Sequence, residues 1–199
     1  MQTEAGAPLI SSPSTEQPSP GRPTRRPRLF VVLVVAALVI YAADQLAKAW
    51  ALAHLDPDRP QDVIGSLVRF DLTRNAGAAF SIATGATWVL TLIAAAVVVV
   101  IIVTSRRLGS SGWAWALGLL LGGSVGNLTD RMVRAPGPGR GHVVDFIELP
   151  HWPIFNIADS AIVTAAVLIG MLAVRGISID GTRAEHHSPR HEAGARHDA

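Results

Sequence analysis

Four long apolar blocks, set apart by segments rich in proline, glycine and charge, decide what this chain can fold into. They cover about 29–52, 88–104, 113–130 and 156–174, and each comes near the roughly 20 residues that a helix needs to cross the hydrocarbon core of a bilayer. With 49% of its 199 residues hydrophobic and only 16% charged, the chain is too apolar for an ordinary soluble domain. The expected fold class is an all-α membrane protein, with four transmembrane helices and a small extracytoplasmic, partly β, loop subdomain. The β part is expected in the first long connection, where 64–72 alternates loosely enough for one or two short strands.

The domain reading follows from the same pattern. Residues 1–28, rich in Pro, Ser and Thr and ending in Arg22, Arg25, Arg26 and Arg28, are expected to be a disordered cytoplasmic tail, and 176–199, rich in histidine, a second one. Between them, 29–175 makes one four-helix membrane domain. Four spans put both termini on one side, and Arg106, Arg107 and Arg175 then join the N-terminal arginines at the cytoplasmic ends, as the positive-inside bias requires. The bias is imperfect, since Arg59, Arg69, Arg74, Arg131, Arg134 and Arg140 fall in the outer loops or at their borders. In the third block Gly118, Gly122 and Gly126 recur every fourth position, leaving one helix face bare for close approach of a neighbour.

The chain has no cysteine, so disulfides, thiol nucleophiles, zinc thiolates and iron–sulfur ligation are out, and any chemistry must use oxygen or imidazole. A net charge of +2 without a continuous basic stripe argues against nucleic acid as a partner. The informative residues are acids. With four spans, Asp44, Asp130, Asp159 and the amides Asn127 and Asn156 all fall toward the outer ends of their helices, and ionisable groups at membrane depth cost several kcal/mol unless paired or hydrated. Asp44 has Lys48 one turn on, and Asp130 has Arg131 and Arg134, so these two acids fit a bundle-holding role as well as a functional one. Asp145, approached by Val143-Val144, and Asp159, opening a helix, have no cation within a turn. Two such carboxylates brought together share a proton, one serving as base on a water and the other donating to a substrate carbonyl, although paired acids also bind ions.

The strings Asp44-Gln45-x-x-Lys48, Asn75-Ala-Gly-Ala-Ala-Phe80, Gly122-Gly123-x-x-Gly126-Asn127-x-x-Asp130-Arg131, Val143-Val144-Asp145-Phe146 and Phe155-Asn156-x-Ala158-Asp159 together resemble the lipoprotein signal peptidases, also called type II signal peptidases. The resemblance runs from about 29 to 175. It implies an aspartic endopeptidase with Asp145 and Asp159 as the catalytic pair, and a substrate-binding set of Asp44, Lys48, Asn75, Gly77, Asn127, Asp130, Arg131, Asn156 and Ala158. It also implies no cofactor, and a multi-pass enzyme of the bacterial cytoplasmic membrane acting near its outer face. The substrates are diacylglyceryl-modified prolipoproteins reached through the membrane lipids, and the cut falls just before the lipidated cysteine. The Pro-Gly insert at 135–140 and the short 147–154 connection depart from the family pattern in the outer loop.

Other readings rank lower. A four-span transporter or structural membrane protein with an outer-leaflet ion site would spread its acids over several depths, whereas these gather at one face. A metal hydrolase built on His142, Asp145, Glu148 and His151 meets prolines at 150 and 153 and lacks HExxH. A serine peptidase built on Ser124 finds no histidine in any span.

Overall fold

The structure, a computed structural model, describes residues 27–77 and 87–183. The expected tails up to residue 26 and from residue 184, His186, His187, His191 and His197 included, lie outside the described residues, as do residues 78–80 of the Asn75 string.

Helices form at all four expected places: α1 Pro27–His54, α2 Thr87–Thr104, α3 Ser111–Val133 and α4 Ile157–Val174. Three of these, with α2 counted through the 3-10 turn that ends at Arg107, are long and apolar enough to cross a membrane. The fourth, α3, has 23 residues but gives up hydropathy to five glycines and to Ser124, Asn127, Thr129, Asp130 and Arg131. It is the helix against which α1, α2 and α4 all pack.

The glycines explain how α1 and α4 reach it. A Cβ on Gly118 would stand 2.8 Å from both the Leu33 carbonyl and the Ala36 Cβ, and one on Gly122 would stand 2.6 Å from the Ala37 carbonyl. On another face, Gly123 lies against the Ala158 carbonyl of α4. The bare face expected from the sequence is thus filled by the backbone of α1, and close backbone approach is how helices gain packing energy in lipid. Gly122→Ala is therefore expected to push α1 off α3 and to cost about 1–3 kcal/mol, as overpacking does. The control is Gly170→Ala, where an added methyl meets nothing within 4 Å. Thermal unfolding in detergent should show a lower midpoint for the first and none for the second.

The connections carry a three-stranded antiparallel sheet in the order β1-β2-β3, with β1 Gln61–Ile64, β2 Val68–Asn75 and β3 Val143–Glu148. This corrects the all-α expectation and extends the partly β loop: β2 is the strand foreseen near 64–72, whereas β3 lies where the sequence suggested only a loop returning to the membrane. Its first four residues are all buried. Leu72, Val144 and Phe146 pack with Ala51 and Leu55 at the end of α1, and the rings of Trp50, Phe70 and Phe146 meet edge to face. The sheet is thereby fastened to the C-terminal end of α1, beside the start of α4.

At the opposite end of the bundle the chain does not leave the fold at Arg175, a correction to the tail expected from residue 176. Ile179 O accepts from Gly109 N at 2.8 Å, and the Trp113 indole donates to Ile177 O at 2.8 Å. Carbonyls just beyond a helix end need donors, and the α2–α3 turn supplies them.

Candidate active site

The site lies at the end of the bundle where α1 and α3 finish, α4 begins and the sheet is attached. Phe155 pairs with β3 through Phe155 N to Ile147 O at 3.0 Å and Ile147 N to Phe155 O at 2.9 Å, which sets Asn156 beside Asp145. Asn156 then caps α4. Its Oδ1 accepts from Asp159 N at 2.9 Å, and Asp159 Oδ2 accepts from Asn156 N at 3.3 Å. This is a reciprocal capping box in which the acid at the third helical position is Asp159 itself. The other half of the Asn156 amide reaches across, Nδ2 donating to Asp145 Oδ1 at 2.6 Å. One side chain therefore brackets both candidate catalytic acids.

Each acid receives a further donor. Asn75, at the end of β2, donates through Nδ2 to Asp145 Oδ2 at 2.8 Å, and Asn127 of α3 donates through Nδ2 to Asp159 Oδ1 at 2.7 Å. The aim of Asn75 is set by a tight turn in which its Oδ1 accepts from Gly77 N at 2.7 Å. Gly77 has φ +110°, a conformation that side-chain-bearing residues rarely adopt, and a Cβ there would strike Leu90. Neither Asp145 nor Asp159 has a salt-bridge partner among the described residues. Burial pushes Asp145 up to about 6 and the charge of Asp159 adds to the shift, against the hydrogen bonds from Asn75 and Asn156 and the charge of Lys48.

The remaining acids behave differently. Asp44 and Asp130 are wholly buried, as is Lys48, whose ammonium lies 2.8 Å from Asp44 Oδ2 and 2.9 Å from Asp130 Oδ2. Asp130 is also bound by Arg134 Nε at 2.6 Å, the pairing that their spacing allowed. These side chains, expected among the substrate-binding residues, are paired with one another and fully buried. Gly126 makes room for Asp44, because a Cβ there would lie 2.6 Å from Asp44 Oδ2. Ala158 contributes its backbone N–H to Asp44 Oδ1 at 3.0 Å. Gln45, present in the first string but assigned no role, ties Asp44 Oδ2 to the Gly126 carbonyl. Arg131 lies within electrostatic reach of Asp145, Asp159 and Asp130, and its Nη1 is buried without a hydrogen-bond acceptor among the described residues.

The every-third acids and histidines near β3 do not gather. Glu148 faces Arg69, His142 lines a separate cavity with Arg74 and Arg134, and no three His, Asp or Glu among the described residues form a ligand set.

A family model described as signal peptidase (SPase) II matches residues 36–175. A lipoprotein signal peptidase of Rhodococcus jostii is 48% identical over 165 residues, covering 83% of this chain and 83% of the relative. One of Mycolicibacterium smegmatis is 47% identical over 201 aligned positions, covering 98% of this chain and 83% of the relative. A solved structure described as "Bacterial membrane enzyme structure by the in meso method at 1.9 A resolution" superimposes with a TM-score of 0.65 at 25% identity, over 73% of this chain and 94% of its own.

Proposed function

This chain belongs to the signal peptidase II family, and from that premise we propose that it is a membrane-embedded aspartic endopeptidase in which Asp145 and Asp159 cleave diacylglyceryl-modified prolipoproteins just before the lipidated cysteine. The observation that carries the aspartic reading is the shared bracket of Asn156, which holds two acids without salt-bridge partners side by side while every other acid near them is neutralised.

The chemistry follows from the difference in burial. Asp145 is 1% exposed and keeps the proton of the pair, whereas Asp159 is only partly buried and carries the charge where water reaches it. Asp159 takes a proton from water as the oxygen attacks the scissile carbonyl carbon, and Asp145 gives its proton to the carbonyl oxygen. Collapse of the tetrahedral intermediate breaks the C–N bond, the amine leaves with the proton from Asp159, and Asp145 recovers its own.

The same reading takes all four helices as spans, with the dyad near the outer face of the bacterial cytoplasmic membrane, both termini cytoplasmic and 29–175 as the membrane domain. Exposed tryptophans support it. Trp50, Trp88 and Trp152 ring the site end and Trp115 marks the other, the two levels at which aromatic belts meet the membrane surfaces.

The test is the pH profile of kcat/KM on a lipidated precursor, which reports the free enzyme. A pair holding one proton loses it as pH rises, so a descending limb is expected near 6, the value of Asp145. Asn75→Ala removes a donor that favours the charged form of Asp145 and should move the limb to higher pH. An unmoved limb takes Asp145 out of the proton-sharing pair.

A further inference from the structure

The Lys48 ammonium has three hydrogens to donate and three acceptors around it: Asn127 Oδ1 at 3.0 Å, Asp44 Oδ2 at 2.8 Å and Asp130 Oδ2 at 2.9 Å. Every one of these acceptors has a second contact that leads to the dyad. Asn127 Nδ2 donates to Asp159 Oδ1. Asp44 Oδ1 accepts from the N–H of Ala158, the residue before Asp159, and Asp130 Oδ2 accepts from the N–H of Val144, the residue before Asp145, at 3.2 Å. We propose that Lys48 is a positioning residue for the dyad: one buried ammonium, donating to Asn127, Asp44 and Asp130, fixes where both carboxylates stand.

Charge neutralisation alone does not account for this arrangement. Two anions, Asp44 and Asp130, already balance two cations, Lys48 and Arg134, so any packing that kept the four together would satisfy the charges. The direction of the Asn127 amide is what needs the ammonium. With Oδ1 held by Lys48 Nζ and by Asn156 Nδ2 at 3.2 Å, the NH₂ group must face Asp159. A reversed amide would set its hydrogens against the ammonium and its oxygen against a carboxylate. Nor does Lys48 have a hydrogen left for substrate, and its side chain is 0% exposed.

The inference rests on the dyad reading. Two variants test it: Lys48→Met, and Lys48→Met combined with Asp44→Asn, which leaves Asp130 paired with Arg134 and the cluster neutral. For variants that elute and melt as folded protein in detergent, kcat on a lipidated precursor is expected to fall about a hundredfold, the usual scale for a small misplacement of reacting groups. KM should stay within about threefold. The descending limb of kcat/KM should move to higher pH, because the cation that favours ionised Asp145 is gone while Asp159 of α4, Arg131 and Asp130 of α3 and Asn75 of β2 remain. A folded neutral variant with wild-type kcat and an unmoved limb overturns the proposal and leaves Lys48 a neutraliser. A rise in KM at unchanged kcat overturns it in favour of a substrate contact, and failure of the neutral variant to assemble assigns Lys48 to folding alone. Turnover surviving in Asp145→Asn or Asp159→Asn would be a separate failure, that of the dyad.

Discussion

Asp145→Asn and Asp159→Asn are each expected to lower kcat by about a thousandfold or more, within the range for loss of a general acid or base. The amide keeps the shape of the carboxylate but neither accepts a proton from water nor delivers one to a carbonyl oxygen. Expression and folding should survive, because at each acid the amide oxygen still accepts one of the two N–H donors and only a single hydrogen bond is given up. Since the two act as one unit, the double variant should be about as inactive as either single one. The informative contrast is Asp130→Asn. Asp130 is paired with Lys48 and Arg134 and holds the Val144 N–H, so its loss should act through folding and placement of β3. A folded, inactive Asp130→Asn beside an active Asp145→Asn would mean that the pair includes the wrong aspartate.

How much of this was legible beforehand depends on the range over which each feature is decided. Helix positions are set by local hydropathy, and all four formed where the apolar blocks predict them, to within a few residues at each end. The strand carrying Asp145 was not legible as a strand. Val143 to Phe146 is buried throughout, so it lacks the alternation that marks a half-buried strand, and its pairing with β2 joins residues about 70 positions apart. Residue types at the site were readable, but their division of labour was not. Asp44, Lys48 and Asp130 lie in the outer parts of their helices, toward the same end as Asp159, and only the packing of α1 on α3 through the glycine face buries the first three and leaves Asp159 partly open. Asn156 is intermediate: an Asn three residues before an acid at the start of an apolar run signals a cap, while its reach to Asp145 needed the bridge between Phe155 and β3.

A precursor with an unmodified cysteine should be cut at least about a hundredfold more slowly than its diacylglyceryl form, even with the same peptide sequence around the cut. On the proposed reading the two carboxylates lie at the end of the bundle that also carries the exposed Trp50, Trp88 and Trp152, beside helices whose outward faces are apolar. A substrate held there by acyl chains keeps its scissile bond at the depth of the carboxylates. Relative to water, each buried methylene contributes about 0.8 kcal/mol, so even four of them supply about 3 kcal/mol, or more than a hundredfold in occupancy. That figure is an upper guide per methylene, because chains already in a bilayer gain little more on entering a protein groove; position at the interface is the larger part of their effect. Side-by-side kcat/KM measurements on both forms of one precursor, in detergent and in nanodiscs, separate the contributions. A preference that persists in nanodiscs, where the signal helix is anchored in both forms, assigns the discrimination to contacts of the lipid with the enzyme. One that appears in detergent alone assigns it to partitioning, and equal rates in both media would mean that peptide sequence alone is read, leaving a general membrane peptidase.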